Sequence, residues 1–168
     1  MAKGKTSGKD GKKVAAHASN SPRGRRSEDS SPQPETTEGL DGAMRALALA
    51  LEKKGLEPIL LDVRQLCSFC NYQLVLSGRS DRQVDAIADA IEAGLKAEGM
   101  RPISTEGARS GQWALIDYGD FVVHVFLHSA REHYDLEGLW NDAPRIPIDV
   151  PAEARIPVDE QYESSAVS

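Results

Sequence analysis

The sequence predicts a small α/β domain with a mixed β-sheet and flanking helices, between a disordered N-terminal arm and an extended C-terminal tail. Apolar residues recur at helical spacing in two segments, and short apolar runs between and after these segments are typical of strands. The predicted order is helix, strand, strand, helix, strand, strand, strand, helix, which favours helices packed on a mixed sheet. Eight of the nine aromatic residues lie between Phe69 and Trp140, which places the core in that part of the chain.

The first half of this domain contains two predicted helices and two predicted strands. The first helix begins near Leu40 and ends before Gly55. Strands are predicted over residues 58–63 and 72–76. The second helix has the clearest signal, because Ser80 and Gln83 have the spacing of a capping box and an apolar stripe continues from there to Gly99.

The second half is predicted to be a hairpin preceded by a short edge strand and followed by a short helix. The edge strand is predicted over residues 101–104, the hairpin strands over 113–118 and 121–127, and the helix over 134–140. Gly119 and Asp120 join the hairpin strands, and Gly at the first turn position favours a type II′ turn.

Charge and composition divide the chain into three parts: an arm at residues 1–38, a domain at 39–143 and a proline-rich acidic tail at 144–168. Residues 1–27 contain eight Lys or Arg and one acid, whereas residues 28–168 contain 12 bases and 25 acids. The arm has too few large apolar residues to form a core, so we expect it to be disordered. The tail repeats a pentapeptide, Arg-Ile-Pro-Ile/Val-Asp, and we expect it to be extended.

The bulk composition excludes several classes of protein. No apolar run is long enough to span a membrane, and the basic N-terminus lacks the apolar region of a secretory signal. An organelle transit peptide is disfavoured because the arm has too few large apolar residues to build an amphipathic helix. Two cysteines cannot form a disulfide framework. We therefore expect a cytoplasmic protein.

No motif in the chain predicts catalysis, a cofactor or a metal site. Cys67 and Cys70 form a C-x-x-C, but a strand rather than a helix is predicted after it, which favours cysteines without chemistry. His124 and His128 would be about 13 Å apart along a strand, too far to share a metal ion. The turn at residues 77–80 could hold a phosphate at the start of a helix, but it lacks the pattern of a P-loop.

The domain resembles the ribosomal silencing factor family, also called the Iojap-related family, over about residues 40–143. The resemblance is carried by the string Trp-Ala-Leu-Ile-Asp-Tyr-Gly-Asp-Phe-Val-Val-His-Val-Phe at residues 113–126. Further matches occur at residues 77–88, 106–107 and 131–140. One departure is visible, because the family usually shows Asp-Tyr-Phe where this chain has Asn-Tyr-Gln at residues 71–73.

The resemblance implies a nucleotidyltransferase-like core that is not an enzyme. It also implies binding to the large ribosomal subunit through its fourteenth protein, uL14, which blocks joining of the small subunit and represses translation when nutrients are limiting. Since the domain is acidic and ribosomal proteins are generally basic, a protein partner is more consistent with its charge than RNA. The basic arm could contact ribosomal RNA or act as a solubilising tail, and the free protein could be a monomer or a homodimer.

We expect the hairpin and the last helix to form the partner-binding face. Its predicted residues are Glu106, Trp113, Asp117, Tyr118, Asp120, His124, Arg131, Tyr134 and Trp140. The aromatic residues would be anchors and the acids charged partners. Trp113 and Trp140 could instead fill the core. A nucleotidyltransferase-like enzyme and a general protein-interaction module are the alternative functions.

Overall fold

The protein forms a five-stranded mixed sheet with helices on both sides, which confirms the predicted α/β fold. The structure, a computed structural model, describes residues 36–107 and 112–156. Most of the arm and the end of the tail therefore lie outside the described residues. The elements are α1 (Leu40–Glu52), β1 (Leu56–Asp62), β2 (Tyr72–Gly78), α2 (Asp81–Ala97), β3 (Ser104–Glu106), β4 (Trp113–Asp117), β5 (Phe121–Leu127), α3 (His128–Tyr134), α4 (Leu136–Leu139) and a 3₁₀ turn (Ala152–Ala154).

The strands are arranged in the order β1-β2-β5-β4-β3. β2 and β5 are parallel at the centre, and the other neighbouring pairs are antiparallel. The chain passes from β2 to β5 through α2, β3 and β4. Both α1 and α2 pack on one face of the sheet, where they bury the main apolar core.

The predicted cap of α2 is present. The hydroxyl oxygen of Ser80 accepts a hydrogen bond from the Gln83 N–H at 3.1 Å. The Gln83 side chain reaches back one residue further than a capping box requires and accepts from the Arg79 N–H. Its amide nitrogen also donates to the carbonyls of Lys53 and Lys54, so the same residue ties α2 to the end of α1.

The hairpin turn also follows the sequence prediction. Gly119 has φ of +90°, whereas Asp120 is not among the residues with positive φ. A positive φ at the first turn position alone is typical of a type II′ turn. The edge strand, in contrast, begins at Ser104 rather than at residue 101. Pro102 has no N–H to donate, so regular pairing with β4 begins only after it.

The predicted last helix is interrupted. Asp135 has φ of +49° and separates α3 from α4, and its carboxylate accepts a hydrogen bond from the Gly138 N–H at 3.1 Å. Asp135 is therefore the C-cap of one helix and the N-cap of the next, a position that Asp tolerates better than most residues.

The described part of the tail, residues 144–156, packs along the outer edge of β1 and includes the 3₁₀ turn Ala152–Ala154, while the rest of the predicted extended tail lies outside the described residues. The Asp62 N–H donates to the Pro144 carbonyl and the Ile146 N–H to the Leu60 carbonyl, each at 2.8 Å. Ile146 and Ile148 pack on the main core, and Ile156 is buried. The packed part of the chain therefore reaches Ile156.

Candidate partner-binding face

One face of the sheet is covered by α1 and α2, and the opposite face is only partly covered. We call this opposite face the second face. Alternation along the strands assigns to it Ile59, Leu61, Gln73, Val75, Ser77, Trp113, Leu115, Asp117, Val122, His124 and Phe126. The α3–α4 segment and Ala143 pack on parts of it, while Trp113, Leu115 and Asp117 remain half-buried.

Four aromatic side chains form a contiguous group at one end of the second face. Trp113 is stacked on Phe126 with ring centroids 5.0 Å apart, and Tyr134 contacts Trp113 at 4.7 Å and Phe126 at 5.6 Å. His124 lies 5.9 Å from Trp113. Tyr134 is 42% exposed, so this aromatic group offers a partly open apolar surface that is supported from below by buried rings.

His124 is one of the buried rings of the aromatic group and does not contribute to its exposed surface. It is 5% exposed, and burial lowers its pKa to about 4. The imidazole is consequently neutral near pH 7, and its Nδ1 accepts a hydrogen bond from the Trp113 indole N–H at 3.2 Å. This bond fixes the orientation of the Trp113 ring.

Arg131 is also buried, at 7% exposure, and it joins α3 to the sheet. Its Nη1 donates to the Glu57 carbonyl at 2.8 Å and to the Ser77 hydroxyl at 2.9 Å. Its Nε and Nη2 donate to the two carboxylate oxygens of Glu137 at 3.0 and 3.1 Å. Such a bidentate pair is geometrically specific, and here it holds α3 and α4 together beside the aromatic group.

Two of the predicted acidic residues, Glu106 and Asp117, lie along the open border of the second face. Ser104 pairs with Asp117 and Glu106 with Leu115, and paired residues point to the same side of a sheet, so both carboxylates belong to this face. Asp117 accepts a hydrogen bond from the Gly119 N–H at 2.8 Å. Asp120 is exposed at the tip of the hairpin, where its carbonyl accepts from the Asn71 N–H at 2.8 Å.

Tyr118 lies on the opposite side of the sheet from these residues. Its ring is stacked on Phe121 at 4.8 Å and packs against the main core beneath the helices. Its hydroxyl is buried without a hydrogen-bond partner, and burial, with a smaller contribution from Glu92, raises its pKa to about 12. The structure therefore brings together Glu106, Trp113, Asp117, His124 and Tyr134 but not Tyr118.

Trp140 occupies a position between core and surface. It is half-buried and packs beside the apolar groups around Leu61 and Val75. Leu115 was not among the predicted site residues, although it lies between Trp113 and Asp117 on the same face. Period-two alternation along β4 was the signal that could have added Leu115 and placed Tyr118 on the other side.

Within residues 36–107 and 112–156, no three His, Cys, Asp or Glu side chains are grouped so that they could hold a metal ion. In the same part of the chain, no helix has both the length and the apolar character needed to cross a membrane.

Comparison with known proteins identifies relatives over most of the chain. The profile of a family described as "Ribosomal silencing factor during starvation" matches residues 35–167. A ribosomal silencing factor from Bacillus subtilis is 39% identical over 107 residues, which cover 63% of this chain and 91% of that protein. One from Chromobacterium violaceum is 44% identical over 87 residues, covering 52% of this chain and 71% of that protein.

Two crystal structures share the fold. A protein from Chromobacterium violaceum superposes with a TM-score of 0.61 and 36% identity, covering 69% of this chain and 96% of that one. A protein from Bacillus halodurans gives 0.57 and 32%, covering 67% of this chain and all of that one. With a family profile that matches most of its length, including the tail, this chain belongs to the ribosomal silencing factor family.

Proposed function

We propose that this protein silences translation by binding the large ribosomal subunit through uL14 and so preventing the small subunit from joining. Family membership supports a ribosomal target. The observation that carries the choice of surface is the second face, where exposed acids border a partly open aromatic group. The block would be steric, because a domain bound on the joining face of one subunit occupies space that the other subunit requires.

The aromatic group supplies the proposed anchors. Aromatic side chains are enriched among the residues that contribute most to binding, particularly where surrounding contacts exclude water. Tyr134 is the exposed member, and Leu139, which is 73% exposed, lies in the adjacent helix α4. His124 accepts a hydrogen bond from Trp113, and Arg131 joins α3 to α4 through Glu137. The anchors are therefore preorganised and lose little conformational entropy on binding.

The acidic border supplies charge complementarity. Glu106 is exposed and Asp117 is half-buried, and these two carboxylates lie at the edge of the proposed face, while Asp120 is exposed at the tip of the hairpin. A basic ribosomal protein would be attracted to this edge. The main effect would be a higher association rate, which decreases as the salt concentration rises. Trp113 and Trp140 would contact the partner through their exposed edges. Tyr118 lies on the opposite side of the sheet and would not contact a partner bound to the second face.

The proposal is tested with purified large subunits and two matched pairs of variants. Tyr134→Ala should weaken binding about tenfold, the loss expected for one anchor worth about 1.4 kcal/mol. Met44→Ala is its control, because Met44 has a similar exposure of 39% but lies on α1. Glu106→Lys should also weaken binding, whereas Asp89→Lys makes the same charge change on the exposed side of α2 and should not.

Three measurements cover the parts of the proposal. Co-sedimentation measures binding to the large subunit, direct titration with purified uL14 identifies the contact, and light scattering measures subunit joining. Equal binding by Tyr134→Ala, Glu106→Lys and their controls would show that the second face is not the interface. Tight binding without any effect on subunit joining would contradict the steric block.

The basic arm would add a contact with ribosomal RNA. Its eight Lys and Arg residues lie within residues 1–27, where a single acid opposes them, so this segment has a net positive charge that can attract phosphates. Each phosphate contact steepens the salt dependence of binding. A full-length variant with Gln at these eight positions should bind large subunits more weakly and with a shallower salt dependence. An unchanged slope would assign the arm to solubility instead.

A further inference from the structure

The loop between β1 and β2 holds its two cysteines side by side. Cys67 Sγ and Cys70 Sγ are 3.5 Å apart, and either thiol can donate to the other. The ends of the loop are closed by a hydrogen bond from the Val63 N–H to the Asn71 carbonyl at 2.9 Å. A disulfide requires an S–S distance of about 2.05 Å, so the sulfurs need to approach by only about 1.5 Å.

The two thiols have different surroundings. Cys70 is 5% exposed and packs with Leu61, Val63, Val122 and Ala143, whereas Cys67 is half-buried at the border of this cluster. The pKa of Cys70 is raised to about 12, mainly by burial and to a smaller extent by the neighbouring Cys67. A reagent from solvent therefore reaches the Cys67 thiol first, while the Cys70 thiol is buried next to it.

A buried polar group beside the pair is not satisfied. Gln73 is 3% exposed, its amide nitrogen lies 3.8 Å from Cys70 Sγ, and its Oε1 has no hydrogen-bond partner. Buried polar atoms without partners are uncommon and call for an explanation. The amide N–H donates to the Cys70 sulfur, the atom on which negative charge develops during thiol exchange, and a donor at this position favours the charged form.

We infer that Cys67 and Cys70 form a reversible dithiol–disulfide site whose oxidant is a low-molecular-weight disulfide. The Cys67 thiolate attacks one sulfur of the oxidant, which forms a mixed disulfide and releases one thiolate. Cys70 then loses its proton to solvent and attacks Cys67 Sγ, which breaks the mixed disulfide and releases the second thiolate. The two cysteines lose two electrons, and the oxidant becomes two thiols. Excess thiol reverses both steps.

The site lies beside the proposed partner-binding face but does not depend on it. Cys67 packs in the same cluster as Leu115 and Trp140, and Phe69, between the two cysteines, is 70% exposed. Closing the disulfide restrains this loop at the border of the second face. Thiol chemistry is measured on the free protein, so failure of this inference and failure of the ribosomal proposal are distinguishable.

The test is reaction of the reduced full chain with oxidised glutathione. We expect loss of both free thiols, a mass decrease of two hydrogens, a monomeric product on a non-reducing gel and full recovery with dithiothreitol. Cys70→Ala should stop at a glutathione adduct on Cys67, whereas Cys67→Ala should react far more slowly. A stable adduct on the wild-type chain, a cross-linked dimer or two unreacted thiols would overturn the inference. The wild-type measurement decides even where Cys70→Ala does not fold.

Discussion

The two faces of the sheet are built from different kinds of residue. Beneath α1 and α2 the buried side chains are apolar, as in Leu74, Ile87 and Val123. In the described part of the chain, the buried polar and charged residues are Gln73, Ser77, His124 and Arg131. All four lie on the second face or bond to it, which indicates that the helix-covered face supplies stability through packing while the second face depends on specific hydrogen bonds.

The largest expected effect is on the helix-covered face. Ile87 is 0% exposed on α2, so Ile87→Ala removes buried methyl groups and leaves a cavity. We expect a loss of about 3–4 kcal/mol in the free energy of unfolding, measured with urea. Ile103→Ala removes the same atoms from a side chain that is 71% exposed and should change stability by less than about 0.5 kcal/mol. Similar losses for both would contradict the assignment of the core.

On the second face, stability should depend on pH through His124. Its pKa is about 4 in the folded chain against an ordinary value of 6.5, so the unfolded chain binds the proton first. Stability is therefore fully present above pH 6.5 and falls as the pH is lowered towards 4, by about 3 kcal/mol in total. His128, whose pKa burial also lowers, adds in the same direction.

A variant isolates the contribution of His124. His124→Gln retains an acceptor for the Trp113 indole N–H but does not titrate, so its stability should change less between pH 7 and pH 4 than that of the wild type. His133→Gln makes the same substitution at an exposed histidine and serves as the control. Urea unfolding at several pH values measures all three proteins. Parallel profiles for His124→Gln and the wild type would contradict a buried neutral imidazole.

A smaller loss is expected at Arg131. Arg131→Met leaves the Ser77 hydroxyl and the Glu57 carbonyl without their charged donor and leaves Glu137 unpaired, which should lower the free energy of unfolding by about 2 kcal/mol. Arg45→Met breaks the exposed pair with Glu98 and should have little effect. If the two variants were equally stable, the bonds of Arg131 would contribute no more than a surface ion pair.

The local parts of the fold could be predicted from the sequence. The cap at Ser80, the hairpin at Gly119 and the alternation that separates Val123 from His124 are all set by residues within a few positions of one another. Local propensity and period-two patterning are sufficient for such features. The same alternation, applied along β4, would have put Tyr118 on the side opposite Trp113, but the predicted site combined the two residues.

The long-range contacts could not be predicted in this way. Arg131 reaches the carbonyl of Glu57, 74 positions earlier, and Glu57 itself has φ of +48° next to a register shift in β1. Residues 144–146 of the tail pair with the same strand. Nothing in the spacing of these residues indicates that they meet, because their contacts follow from the assembled topology.

The smallest expected effect has the opposite sign and concerns Gln73. Its Oε1 is buried without a partner, so Gln73→Met should remove a desolvation cost at similar volume and raise the free energy of unfolding by about 1 kcal/mol. Gln112→Met, at an exposed position, should give no such gain. If Gln73→Met lost stability instead, the Gln73 amide would have a hydrogen-bond partner in solution. The stability of the second face would then depend on that hydrogen bond.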